Sequence, residues 1–134
     1  AQPVLVVDDD EVSLKVAELT LRELGYRPIC RLDATSALDA ASEEPPAAVV
    51  LDLVMPEMDG FEFLKRFRKT SNGYRTPVII WSGKDLTELE RAELRSSTSS
   101  IVTKDVQGDD LILELKNLLQ AHGASSDTTA ARKD

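Results

Sequence analysis

Short apolar runs alternate with amphipathic stretches along the whole chain. Val4-Leu5-Val6-Val7 contains no polar residue and runs straight into Asp8-Asp9-Asp10-Glu11. A run of this length between turn signals predicts a strand buried on both faces. From Glu11 to Leu24 the period changes. Leu14, Ala17, Leu21 and Leu24 fall on one stripe with Val16 beside it, which predicts a helix. Asp9 or Asp10 can cap its start, and Gly25 stops it. Tyr26 to Leu32 predicts a second strand. Pro28 has no N–H for a ladder, which places that strand at a sheet edge. Thr35 to Glu43 predicts a helix, ended by Pro45-Pro46.

Ala47 to Asp52 is the third apolar run, and Phe61 to Lys69 is a helix beginning just after Asp59-Gly60. Asn72-Gly73 marks a turn. Pro77 to Trp81 predicts the fourth strand, leading into Ser82-Gly83. Thr87-Glu88-Leu89-Glu90 has capping-box spacing and predicts a short helix reaching Leu94 or Arg95. Ser96 to Ser100 is a loop of low helix and strand propensity. Ile101 to Thr103 is a short fifth strand followed by Lys104. Asp110 to Ala121 is the last helix, with Leu111, Leu115, Leu118 and Leu119 on its apolar face. His122-Gly123 ends it, and residues 123–134 read as a disordered polar tail behind one domain over residues 1–122. Five strand–helix repeats specify an α/β fold, a doubly wound parallel sheet with helices on both faces.

Composition narrows the partners. A chain of 134 residues makes one domain with a real core. Its net charge of −8 argues against direct nucleic-acid binding, which needs a basic footprint. Cys30 is the only cysteine, so no intrachain disulfide forms, and it reads as a buried apolar residue. No segment is long and apolar enough to span a membrane, and the first strand starts too near residue 1 for a signal peptide. The expected location is cytoplasmic.

In doubly wound sheets, sites form at the carboxyl ends of the strands. The polar residues there are Asp8, Asp9, Asp52, Ser82 and Lys104. Asp52 either caps the turn that follows it or sits at the strand tip where water or a cation reaches it. Two neighbouring strands ending in acid would bring like charges together and raise their pKa values. A divalent cation relieves that repulsion, and oxygen-only ligands suit Mg²⁺. A carboxylate nucleophile, carboxylates for Mg²⁺, a hydroxyl and an ammonium are what a phosphoryl-transfer site needs.

The chain resembles the receiver domains of two-component response regulators. The matching pieces are Val6-Val7-Asp8-Asp9, Leu51-Asp52-Leu53-Val54-Met55-Pro56-Glu57-Met58-Asp59-Gly60, Ser82-Gly83 and Lys104. They occur in family order and at family spacing across residues 3 to 121. The resemblance implies a flavodoxin-like (βα)5 fold with strand order 2-1-3-4-5. It implies that Asp52 is the phosphoacceptor, receiving its phosphoryl group from a histidine kinase or a histidine phosphotransfer domain. Asp9 and Asp52 would bind Mg²⁺ directly, Asp8 through water, and the Val54 backbone carbonyl would add a ligand. Ser82 and the Gly83 N–H would contact one phosphoryl oxygen and Lys104 another. Val54 and Lys84 would tune how long the phosphoryl group survives. His122, the only histidine, lies at a helix end beside the tail, so the phosphodonor comes from another domain or protein.

Several positions depart from the family pattern. Asp105 follows Lys104 where proline is usual, so a trans bond is expected there, and its carboxylate is a competitor for Lys104. Ile101 stands where many receivers carry a switchable aromatic. The serine-rich segment lacks the usual glycine. The stretch from Ser82 to Arg91 is similar to receivers at the ends of hybrid sensor kinases. Asp8-Asp9-Asp10-Glu11-Val12 also fits the nucleophile motif of haloacid-dehalogenase-like phosphatases, which would make Asp8 the nucleophile. A receiver-like interaction module that never takes phosphate is the third possibility.

Overall fold

The computed structural model describes residues 1–104 and 110–119. Five strands, β1 (Pro3–Val7), β2 (Arg27–Arg31), β3 (Ala48–Leu51), β4 (Val78–Ser82) and β5 (Ser100–Thr103), form one sheet in the order β2-β1-β3-β4-β5. Every pairing is parallel. Between them run α1 (Glu11–Glu23), α2 (Ala34–Glu43), α3 (Gly60–Arg68) and α4 (Glu88–Arg95), and residues 110–119 form a fifth helix, α5. Each observed element overlaps its predicted counterpart. β5 starts one residue early, inside the serine-rich stretch, and β4 extends to include Ser82.

The unbroken apolar runs are explained by burial on both sides. In β1, Leu5 and Val7 face a core formed with α2, α3 and α4, including Ala37, Phe63, Phe67 and Leu94. Val4 and Val6 face the opposite core, formed with Ala17 and Leu21 of α1 and Leu111, Leu115 and Leu119 of α5. A strand with cores on both faces has no place for alternation. Each fully buried Val, Leu or Ile contributes about 1.5–3 kcal/mol. Phe63 and Phe67 stack with centroids 5.5 Å apart.

Helix ends follow the sequence signals. Asp10, not Asp9, caps α1, accepting from the Ser13 N–H at 3.2 Å and its hydroxyl at 2.7 Å. Those contacts, the hydroxyl first, hold the Asp10 carboxyl below its ordinary pKa. Gly25 follows α1 with φ +90°, a conformation that costs glycine nothing. Thr87 and Glu90 form the capping box of α4. β2 lies at the sheet edge, as Pro28 requires. Cys30 is only half-buried, and burial raises its thiol pKa. Arg68 ties loops together at the far end of the sheet, donating to the carbonyls of Gly73 (2.6 Å), Thr76 (2.7 Å) and Ser97 (3.0 Å). The tail, His122, and the trans bond and competing carboxylate expected at Asp105 lie outside the described residues.

Candidate functional site

Strand register builds the site. Val7 of β1 pairs with Leu51 of β3, so the next residues, Asp8 and Asp52, emerge side by side. The ladder continues one residue past the strands: the Asp52 N–H donates to the Val7 carbonyl at 2.9 Å and the Lys104 N–H to the Ser82 carbonyl at 3.0 Å. Backbone hydrogen bonds thus fix Asp8, Asp52, Ser82 and Lys104 at the carboxyl edge of four adjacent strands. Asp9, Asp52, Ser82, Gly83, Lys84 and Lys104 help to line one cleft of about 620 Å³. Asp8 lies behind them, 1% exposed.

Asp8, Asp9 and Asp52 each present a carboxylate oxygen, all within 4.8 Å of one another. Asp8 Oδ1 accepts from the Asp10 N–H at 2.9 Å. Asp8 Oδ2 faces the Lys104 ammonium at 2.8 Å, and Asp52 Oδ2 lies 3.7 Å from the same nitrogen. Burial pushes the Asp8 carboxyl up to about 6, and the Asp52 charge adds to this. The neighbouring Lys104 ammonium and the Asp10 N–H oppose it. Three oxygen donors within 4.8 Å of one another, two on the cleft wall and Asp8 just behind, fit a hard cation such as Mg²⁺. Asp8 is a poor nucleophile for a phosphatase: it is sealed from solvent and its oxygens already face Lys104 and the Asp10 N–H.

The remaining predicted residues surround this centre. Ser82 Oγ accepts from the Lys84 N–H at 3.2 Å, which leaves its own proton free to donate outward. A Cβ at Gly83 would meet nothing within 4 Å, so sterics do not demand glycine there. Val54 is 58% exposed at the rim. The Lys84 ammonium is turned to Glu90, 3.5 Å away.

Three features escaped the sequence. A Cβ on Gly60 would sit 2.3 Å from the Asp52 carbonyl oxygen and 2.7 Å from Leu53 Cα, so glycine lets α3 start directly against the strand end that carries Asp52. The Asp-Gly pair reads as a turn signal and hides this close approach. Glu57 takes φ +66° in the loop after Pro56, a strained conformation for a side-chain-bearing residue. Trp81 places its ring 5.2 Å from the Lys104 nitrogen, although its strand position announces only core.

Comparison with known proteins matches this geometry. A family model described as the response regulator receiver domain covers residues 4–116. The chain is 33% identical over 129 residues to the probable transcriptional regulatory protein TcrX of Mycobacterium tuberculosis, covering 96% of this chain and 54% of TcrX. It is 31% identical over 124 residues to the uncharacterized transcriptional regulatory protein YkoG of Bacillus subtilis, covering 92% of this chain and 54% of YkoG. The chain therefore spans about half the length of the curated relatives it matches. Among solved structures, the receiver domain of the sensor histidine kinase PA1611 from Pseudomonas aeruginosa superimposes with a TM-score of 0.76 at 28% identity, covering 90% of this chain and 96% of that one. That structure has a magnesium ion coordinated in its active site cleft. Relatives thus come both from transcriptional regulators and from a sensor kinase. No helix among the described residues is long and apolar enough to cross a membrane. With the family model spanning most of the chain and the acidic, hydroxyl and ammonium groups gathered at one sheet edge, the chain belongs to the response regulator receiver domains of two-component signalling.

Proposed function

We propose that Asp52 accepts a phosphoryl group from a phosphohistidine of a partner kinase or phosphotransfer domain, and that the phosphorylated state switches a protein-interaction surface. Receiver domains interact with such partners in two-component systems. The observation that carries the proposal is the placement of Asp52: 6% exposed, on the cleft wall, beside two carboxylates and 3.7 Å from an ammonium. Asp8, Asp9, Asp52 and the Val54 carbonyl would hold Mg²⁺. When bound, that ion neutralises negative charge on the carboxylates and phosphoryl oxygens.

Each residue then has a defined task. An Asp52 carboxylate oxygen forms the new bond to phosphorus while the bond to the donor imidazole nitrogen breaks. The electron pair leaves with the imidazole, which takes up a proton. Lys104 pairs with one phosphoryl oxygen, and its ammonium is already poised between Asp8 and Asp52. The Ser82 hydroxyl, whose oxygen is held by the Lys84 N–H, donates to another, with the Gly83 N–H beside it. Donors preorganised where charge develops are the main source of rate in such transfers.

Incubation with acetyl phosphate tests the proposal. Uptake of one phosphoryl group with Mg²⁺, and none with a chelator, is the expected result. No uptake under either condition would leave only an interaction module.

A further inference from the structure

We infer that Trp81 is a positioning residue for Lys104, its indole face holding the ammonium over the gap between Asp8 and Asp52; this rests on the proposed role of Lys104. The Lys104 nitrogen lies 5.2 Å from the Trp81 ring centroid, within cation–π range. The same nitrogen reaches Asp8 at 2.8 Å and Asp52 at 3.7 Å. Trp81 pairs with Val102 in the sheet, so its side chain lies on the face along which Lys104, two residues beyond Val102, projects.

A second observation separates this role from plain packing. Trp81 is 3% exposed, and its Nε1–H has no hydrogen-bond partner among the described residues. A buried indole N–H normally finds an acceptor, and leaving one unmet is unfavourable. Phenylalanine would occupy much of that space without that penalty. What tryptophan adds is the most electron-rich ring face available to a cation. The platform also matters here because Lys104 is followed by Asp105 rather than by a proline that would stiffen the chain.

The test combines a contact readout with a kinetic one. In wild type the Lys104 ε-methylene protons should resonate upfield in the indole ring current, and Trp81→Leu should abolish that shift. Trp81→Leu should slow labelling of Asp52 by acetyl phosphate at saturating Mg²⁺ by about three- to tenfold. Trp81→Phe, which keeps a ring face, should recover most of the rate. In a Lys104→Met background, Trp81→Leu should change the rate no further. A wild type without the upfield shift overturns the inference, as does equal slowing by Trp81→Leu in both backgrounds, which would mark a purely structural residue. The resonance shift requires no phosphorylation. A wild type never labelled at Asp52 would therefore refute the proposed function, while the shift still decides whether Trp81 holds Lys104.

Discussion

The Lys104 ammonium lies 2.8 Å from Asp8 Oδ2, and Asp8 is almost wholly withdrawn from water. A buried carboxylate is costly without a counter-charge, so the two residues depend on each other. The same ammonium lies 3.7 Å from Asp52 Oδ2, so it bridges the two buried acids.

The pH dependence of stability follows from Asp8. Its carboxyl rises from 3.8 to about 6 in the fold, with burial the largest cause. Between those values the folded chain holds a proton that the unfolded chain releases, so this contribution is full below the lower value and is lost as pH rises through about 6. At the proposed metal site Mg²⁺ requires the charged carboxylate, so its stabilising effect should grow over the same range. Melting temperatures of wild type and Asp8→Asn, with and without Mg²⁺, should show the wild type losing metal-free stability relative to the variant between pH 4 and 7. The metal-induced gain should rise through pH 6 in wild type only. A wild-type gain independent of pH would contradict the assignment.

Gly60 should tolerate no side chain. A Cβ there would press on the Asp52 carbonyl at 2.3 Å, and both contacts are backbone, which yields least. Gly60→Ala is expected to cost about 1–3 kcal/mol in urea unfolding, as overpacking does elsewhere. It should also impair labelling under conditions where the protein remains folded, because the displaced strand end carries Asp52. Unchanged stability would show that α3 can shift freely.

The lifetime of the phosphoryl group should be long compared with receivers that are polar at both rim positions. The Val54 side chain offers no polar atom to orient a hydrolytic water, and the Lys84 side chain has donors only. The Lys84 ammonium rests on Glu90 at 3.5 Å, which holds it at the rim. Decay of phospho-Asp52 in Mg²⁺ should accelerate about tenfold in Val54→Asn with Lys84→Glu, the order of effect expected for a positioned water. Equal decay would show that these side chains do not set the lifetime.

Partner docking should be separable from chemistry. Lys15 lies on α1, which begins three residues after Asp8, and is exposed, with a 3.5 Å contact to Glu18. Lys15→Glu is expected to slow transfer from a cognate phosphohistidine donor while leaving acetyl phosphate labelling intact. Equal loss with both donors would point to damage to the site itself.

Much of this architecture was legible in the residues. Runs such as Val4–Val7 lack alternation because cores cover both sheet faces, and Pro28 marked the edge strand. Acid-tipped strands revealed the carboxylate cluster, since little else justifies charge at the end of a buried strand. Contacts between distant segments were not legible. Trp81 and Lys104 meet only because β4 and β5 pair in one register, and no local pattern encodes that. Asp9 and Asp10 were equivalent candidates for capping until the geometry of α1 selected Asp10. Gly60 looked like any turn glycine until the helix start was seen against Asp52.

The most direct test of the central claim is the site of phosphorylation itself. Wild type and Asp52→Asn are treated with acetyl phosphate and Mg²⁺, and the labelled residue is mapped by mass spectrometry after borohydride trapping of the acyl phosphate. A single base-labile phosphoryl group on Asp52, absent from the variant, is the result predicted. Undiminished labelling of Asp52→Asn, or a stable phosphoryl group on Asp8, would contradict it.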